Sequence, residues 1–174
     1  PPDIVRSFSR MGTSSTAITE SAYFGVVAVE SSATAWRALF SAREGALNDY
    51  ETGFTIDLGA SAQASFKFLN YEGEGFSSGD VMTSDIAFDT QTLVCCTMTT
   101  SACQLHINGT SETSKANDGS TKSMENLQIG ARFYATATLA FIDADFQEVI
   151  VYPTDQTSNR AGIETNINDY YSIY

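Results

Sequence analysis

The chain has 174 residues, of which 43% are hydrophobic and only 17% charged, and it carries a formal net charge of −12. That charge argues against a nucleic-acid partner, because phosphate recognition needs clustered Lys and Arg. No apolar run reaches the roughly 18 residues that a membrane-spanning helix needs, so no membrane insertion is expected.

Residues 1–16 (PPDIVRSFSRMGTSST) are polar and weakly patterned and read as an N-terminal arm. The opening PPDIV lacks Met, which fits a processed or partial chain. From residue 17 to 174 the sequence reads as one sandwich unit. YFGVVAVESS (23–32) and WRALFSAR (36–43) have strand character, and EGALNDYETG between them and the next strand reads as a loop. FTIDLG (54–59) alternates, with Phe54, Ile56 and Leu58 on one face. ASFKFLN (64–70) alternates too and precedes the Gly-rich acidic loop YEGEGFSSGD. DIAFD, TLVCCTM and QLHINGT supply further strands.

Asn108-Gly109 is the strongest local signal, because Asn-Gly accepts positive φ at both centres of a tight hairpin turn. SETSKANDGSTKSMEN (111–126) reads as a polar loop. LQIGARF is a strand, YATAT a loop, and DFQEVIVY the last long strand. Strands at ten- to fifteen-residue spacing, with turn residues between them, predict an all-β, two-sheet antiparallel sandwich of jelly-roll type. In the tail, Ile163, Ile167 and Tyr170 or Tyr171 fall at helical spacing. They predict a short C-terminal helix over about 157–169, packed through its Ile stripe and capped by Asp155, Thr157 or Ser158.

Cys95, Cys96 and Cys103 read as small buried thiols. Adjacent strand residues face opposite ways, so Cys95 and Cys96 should not pair, whereas Cys103 could reach either across a hairpin. With His106 the one histidine and no spaced Cys pair, the sequence argues against zinc. His106 reads as a strand residue facing solvent or a neighbouring chain.

The ordered series Leu105-His106-Ile107-Asn108-Gly109, Leu127-Gln128-Ile129-Gly130-Ala131-Arg132 and Ala144-Asp145-Phe146-Gln147-Glu148-Val149-Ile150-Val151-Tyr152 carries a family likeness. With the tail Asn159-Arg160-Ala161-Gly162-Ile163-Glu164 and Ile167-Asn168-Asp169-Tyr170-Tyr171, it resembles the laminin-G-like, concanavalin A-like jelly-roll superfamily over roughly residues 20–174. Ala144 stands where the family usually has Gly. The tail is similar to modules appended to phage virion proteins and large bacterial surface proteins. The resemblance implies a non-enzymatic module on a virion exterior or extracellular surface. Such a module would act as a structural, decoration or fibre-type component by contact with other subunits, as a homo-oligomer or with receptor adhesion.

A carbohydrate-binding lectin is the alternative. Sugar sites use aromatic platforms with nearby amides and carboxylates. Trp36, Tyr50, Tyr71 and Tyr134 are candidate platforms, and Asn48, Asp49 and Asn70 candidate hydrogen-bonding groups for a cell-surface glycan. A glycoside hydrolase is the weakest reading. Asp143 and Asp145 of FIDADFQE share a face on a regular strand, but Glu148, three positions on, points to the other unless a bulge intervenes. On this pattern Phe146, Ile150 and Tyr152 share one face and Val149 and Val151 the other, with Glu148 bonding backbone, Arg132 or Arg160. No cofactor is expected unless calcium binds; Asp143 and Asp145, or the loop around Asp80 and Asp85, offer the hard oxygen ligands calcium takes.

Overall fold

The computed structural model describes residues 17–31, 34–67, the backbone of 70–73, 82–134 and 137–174. The N-terminal arm (1–16), Phe68 and the acidic loop around Asp80 lie outside these residues. The strands are β1 (Ala17–Ile18), β2 (Ser21–Ser31) and β3 (Ala38–Arg43), followed by a short helix α1 (Asp49–Thr52). Next come β4 (Phe54–Asp57), β5 (Asn70–Gly73), β6 (Gln91–Met98), β7 (Ala102–Ile107) and β8 (Thr110–Ala116). The chain closes with β9 (Lys122–Ser123), β10 (Asn126–Ile129), β11 (Arg132–Tyr134), β12 (Ala137–Leu139), β13 (Asp143–Tyr152) and helix α2 (Arg160–Tyr171).

Two antiparallel sheets face each other. One has the order β13-β2-β6-β7-β8 and the other β10-β3-β4-β5, with the short ribbons β1-β9 and β11-β12 beside them. This is the antiparallel β-sandwich that the strand spacing predicts. Its main core lies between the sheets: Tyr23, Val27 and Val29 of β2 and Val94, Cys96 and Met98 of β6 meet Leu39, Phe40, Phe54 and Ile56. Alternate β2 residues Ala22, Phe24 and Val26 point the other way, with Leu93 and Cys95. On that second face α2 lays Ile163, Ile167 and Tyr171, joined by Ile150 and Tyr152 of β13. A central strand buried on both faces can thus be apolar throughout.

The Asn108-Gly109 turn has φ of 49° and 77°, as the hairpin chemistry requires. Asn108 adds a side-chain tie, its Oδ1 accepting the Leu93 N–H at 2.9 Å. The three cysteines are buried and not joined by a disulfide, Cys95 under α2 and Cys96 and Cys103 in the inter-sheet core.

Several elements differ from the sequence reading. The supposed loop 111–126 contains β8 and β9. The hairpin delivers β8 to the free edge of β7, where backbone pairing suffices and an exposed polar strand makes a soluble edge. The loop YATAT likewise contains the start of β12, paired to β11. DIAFD is not a strand: only Ile86 pairs, with Phe66, before Asp89 turns through a φ of 63° into β6. EGALNDYETG contains α1, whose start the Glu51 carboxylate secures by accepting the Asn48 N–H at 3.3 Å. Helix α2 begins at Arg160, about a turn after the predicted start, because Asp155 closes a local turn onto Thr157 N–H at 2.8 Å instead of capping a helix.

Strand β13 carries the most consequential departure. Its register with β2 shifts between Phe146 and Glu148, with Gln147 as the extra residue. Phe146 therefore joins Ala144, Val149 and Val151 on the inter-sheet core, not Ile150 and Tyr152. Asp145 and Glu148 pair opposite Ala28 and Val26 and so come to the same side, the α2 side. His106 is also on this side. It is 6% exposed and does not face solvent.

Candidate functional site

Three chain segments converge beside the four-stranded sheet: the turn before β3, helix α1, and the β11-β12 ribbon. Between them lies a cavity of about 590 Å³ lined by Trp36, Tyr50, Arg132, Phe133, Tyr134, Leu139 and Ala140. A volume of that order suits a small organic ligand or one to two sugar rings.

The local geometry of each wall follows from its backbone. Trp36 adopts φ of 62°, a left-handed conformation that a bulky residue rarely takes. Its N–H is held by Gly59 O at 2.7 Å. Ala140, which also lines the cavity, is left-handed too, with φ of 53°. Such conformations cost on the order of 1 kcal/mol or more each and persist where surrounding contacts impose them, often at binding sites. Arg37 ties the two walls together, donating to Phe141 O on one side and to Thr34 Oγ1 at 2.8 Å on the other. Helix α1 reaches the cavity because Gly53 passes against β3. A Cβ there would lie 1.8 Å from Ala42 O, so only glycine fits.

Arg132 forms the floor. Its Nε and Nη2 donate to the two oxygens of Asp49 at 3.2 and 2.8 Å, a bidentate fork, and its Nη1 donates to Asp57 Oδ2 at 3.3 Å. Both carboxylates are fully buried. Asp49 also accepts Phe133 N–H at 2.9 Å, and Asp57 accepts Gly59 N–H at 2.7 Å. The guanidinium lies 5.7 Å from the Trp36 ring centre and 5.8 Å from that of Tyr50. Tyr50 and Tyr134 sit with ring centres 6.5 Å apart. Burial, then the neighbouring Tyr134 and Glu51, push the Tyr50 hydroxyl above its ordinary pKa, so it stays a neutral phenol. Tyr134 is 54% exposed and forms the rim.

The structure thus brings together Trp36, Tyr50 and Tyr134 of the sequence candidates. Asp49 is beneath them, committed to Arg132, and Asn48 starts α1. Asn70 and Tyr71 lie on β5, paired to Asp57 and Ile56, on the far side of β4 from β3. Arg132, Phe133, Leu139 and Ala140 were not anticipated as lining. The signal for Arg132 was an Arg inside an apolar strand, which must find a carboxylate, but its partners lie 75 and 83 residues away.

The metal candidates occupy another place. Asp143 accepts from Ser31 Oγ at 3.0 Å. Together with Asp145 and Asp89 it raises the pKa of Glu30, Asp143 being the largest cause. Asp85 accepts from Ser65 Oγ. Among the described residues no group of three or more His, Cys, Asp or Glu side chains is arranged to hold a metal ion. Arg132 and Arg160, foreseen as partners of Glu148, pair with Asp49 and Asp57 and with Glu164.

No known family model matches this sequence, and no curated protein sequence matches it. Solved structures do match in fold. A heptameric SAP-like pentraxin from Limulus polyphemus superposes with a TM-score of 0.68 at 12% identity, over 88% of this chain and 78% of that one. The CBM40 domain of the Ruminococcus gnavus IT-sialidase, bound to α2,3-sialyllactose, gives 0.65 at 10% identity over 90% and 94%. The binding domain of botulinum neurotoxin DC, in complex with SialylT, gives 0.62 at 9% identity, and this chain spans 36% of it. The chain therefore has a jelly-roll β-sandwich fold in common with these structures.

Proposed function

We propose that this chain is a non-catalytic carbohydrate-binding module working at a cell or particle surface, with its ligand seated between Trp36, Tyr50 and Tyr134. The observation that carries the reading is the aromatic cavity itself. Trp36 and Tyr50, from separate segments, flank one buried guanidinium that two carboxylates fix in place, and Tyr134 stands beside Tyr50 in the same cavity. Aromatic faces take the C–H face of a sugar ring, and the phenolic hydroxyls of Tyr50 and Tyr134 offer it hydrogen bonds. Fold neighbours that bind sialylated ligands add support of a general kind.

A glycan-array screen of the purified chain, run with and without calcium, tests this. Binding should fall by more than about tenfold in Trp36→Ala and in Tyr134→Ala while the melting temperature moves little, because neither ring is in the inter-sheet core. Loss of binding only on calcium removal would direct attention to Asp143 and Asp145.

A second reading, a structural or decoration component of a phage virion or similar particle, has one structural observation in its favour. Ile129, Leu139 and Phe141 are 40%, 41% and 53% exposed. The Ile142 N–H to Gly130 O bond of 2.9 Å brings the first and last of these to neighbouring positions. Such a strip suits contact with another subunit. Mass in solution separates the readings: a stable oligomer, broken by Phe141→Asp, with silence on the array would favour the particle component.

A further inference from the structure

We infer that the cavity selects uncharged sugars and disfavours glycans whose seated residue carries a carboxylate or sulfate. This rests on the carbohydrate reading and narrows it. An anionic sugar needs a positive fork or a cluster of N–H donors free to meet it. Among the described residues lining the cavity, Arg132 is the one cation, and it is already engaged. One edge grips Asp49 through two bonds, and the other meets Asp57. Two carboxylates thus oppose one guanidinium in the floor. Glu51 stands close enough to raise the pKa of Tyr50 by its charge. Two further guanidinium groups stand nearby without lining the cavity: Arg37, next to Trp36, is engaged by Phe141 O and by Thr34 Oγ1 at 2.8 Å, and Arg43 stacks 4.1 Å from the centre of the Phe133 ring and donates to Leu47 O at 3.1 Å. An anion entering here would meet repulsion without a donor set to offset its desolvation. The net charge of −12 acts in the same direction at long range.

An uncharged sugar meets no such penalty. It needs flat apolar surface and a few hydroxyl partners, and the cavity supplies both in Trp36, Leu139 and the two tyrosines. Arg132 then serves as a positioning residue: its guanidinium lies beside Trp36 and Tyr50, so fixing it with two carboxylates fixes the rings.

The test uses matched pairs on an array, each neutral glycan beside the same glycan extended by sialic acid or sulfate. Lactose and α2,3-sialyllactose, together with the best neutral hit and its charged counterpart, are then titrated at low and high salt. Neutral members should bind, their charged counterparts at least about tenfold more weakly, and neutral affinity should be unchanged by salt. Trp36→Ala and Tyr134→Ala should remove the binding. Charged members bound as tightly or more tightly, weakened by salt and lost in both variants, would overturn the inference and leave the carbohydrate reading standing. Binding that survives both variants would place the sugar elsewhere and overturn the inference. Binding of no glycan at all would overturn both readings.

Discussion

Two arginine–carboxylate clusters stand on opposite flanks of this sandwich, and they are built to different standards. Under the aromatic cavity, Arg132 faces two fully buried aspartates, each of which also accepts a backbone N–H. Under helix α2, Arg160 is paired with Glu164, which is 2% exposed and whose other neighbour is the Cys95 thiol, a weak donor. The first cluster joins segments remote in sequence and fixes the position of a binding wall. The second is a contact within one helix turn, made where the helix covers Cys95 and His106. A satisfied network sets geometry, whereas a half-satisfied one leaves a seam that responds to pH.

The largest expected effect comes from breaking the satisfied cluster. Asp49→Ala should cost about 3–5 kcal/mol in denaturant unfolding, since it leaves Arg132 and the Phe133 N–H without their partner. If the loss were under about 1 kcal/mol, the cluster would not be holding the wall.

The next effect lies in the α2 seam. Burial, reinforced by Arg160, lowers the pKa of His106 to about 4. A histidine held neutral in the folded state contributes stability fully above its ordinary value near 6.5, and that contribution is lost as pH falls toward 4. Glu164 acts with the opposite sign: burial raises its pKa, so its cost grows as pH rises through the range between its ordinary and folded values. Melting temperature measured from pH 7 to pH 4 should fall in the wild type and fall less in His106→Asn. An unchanged slope in that variant would remove His106 from the seam's acid response.

The smallest effect is expected from Glu164→Gln. It removes a buried charge while keeping the shape, and Arg160 retains access to water, so unfolding free energy should change by less than about 1 kcal/mol. A loss of several kcal/mol would show that the two clusters are equally dependent on their ion pairs.

Much of the framework was legible because it is local. Asn108-Gly109 specifies a hairpin through its own φ angles, and alternation in β4 marks pleated surface. The Ile163 and Ile167 spacing marks a helix that needs an apolar seat. The polar strand β8 was not legible, because its pairing depends on the free edge of β7 and not on its own composition. The bulge at Gln147 was equally hidden. One extra residue reverses which side chains of β13 meet the core, and nothing in FIDADFQE announces it. Among the site residues, the aromatic character of Trp36, Tyr50 and Tyr134 could be read directly, but their convergence could not.

The sequence by itself determined an acidic, antiparallel all-β sandwich with a covering C-terminal helix, since periodicity, turn chemistry and charge are properties of neighbouring residues. Only the tertiary structure decided that Arg132 meets Asp49 and Asp57, and that Trp36, held left-handed, lines one cavity with Tyr134. The physical reason is the separation of these partners along the chain. A buried arginine demands a carboxylate, but which carboxylate answers is settled by the packing of the sheets that carry them.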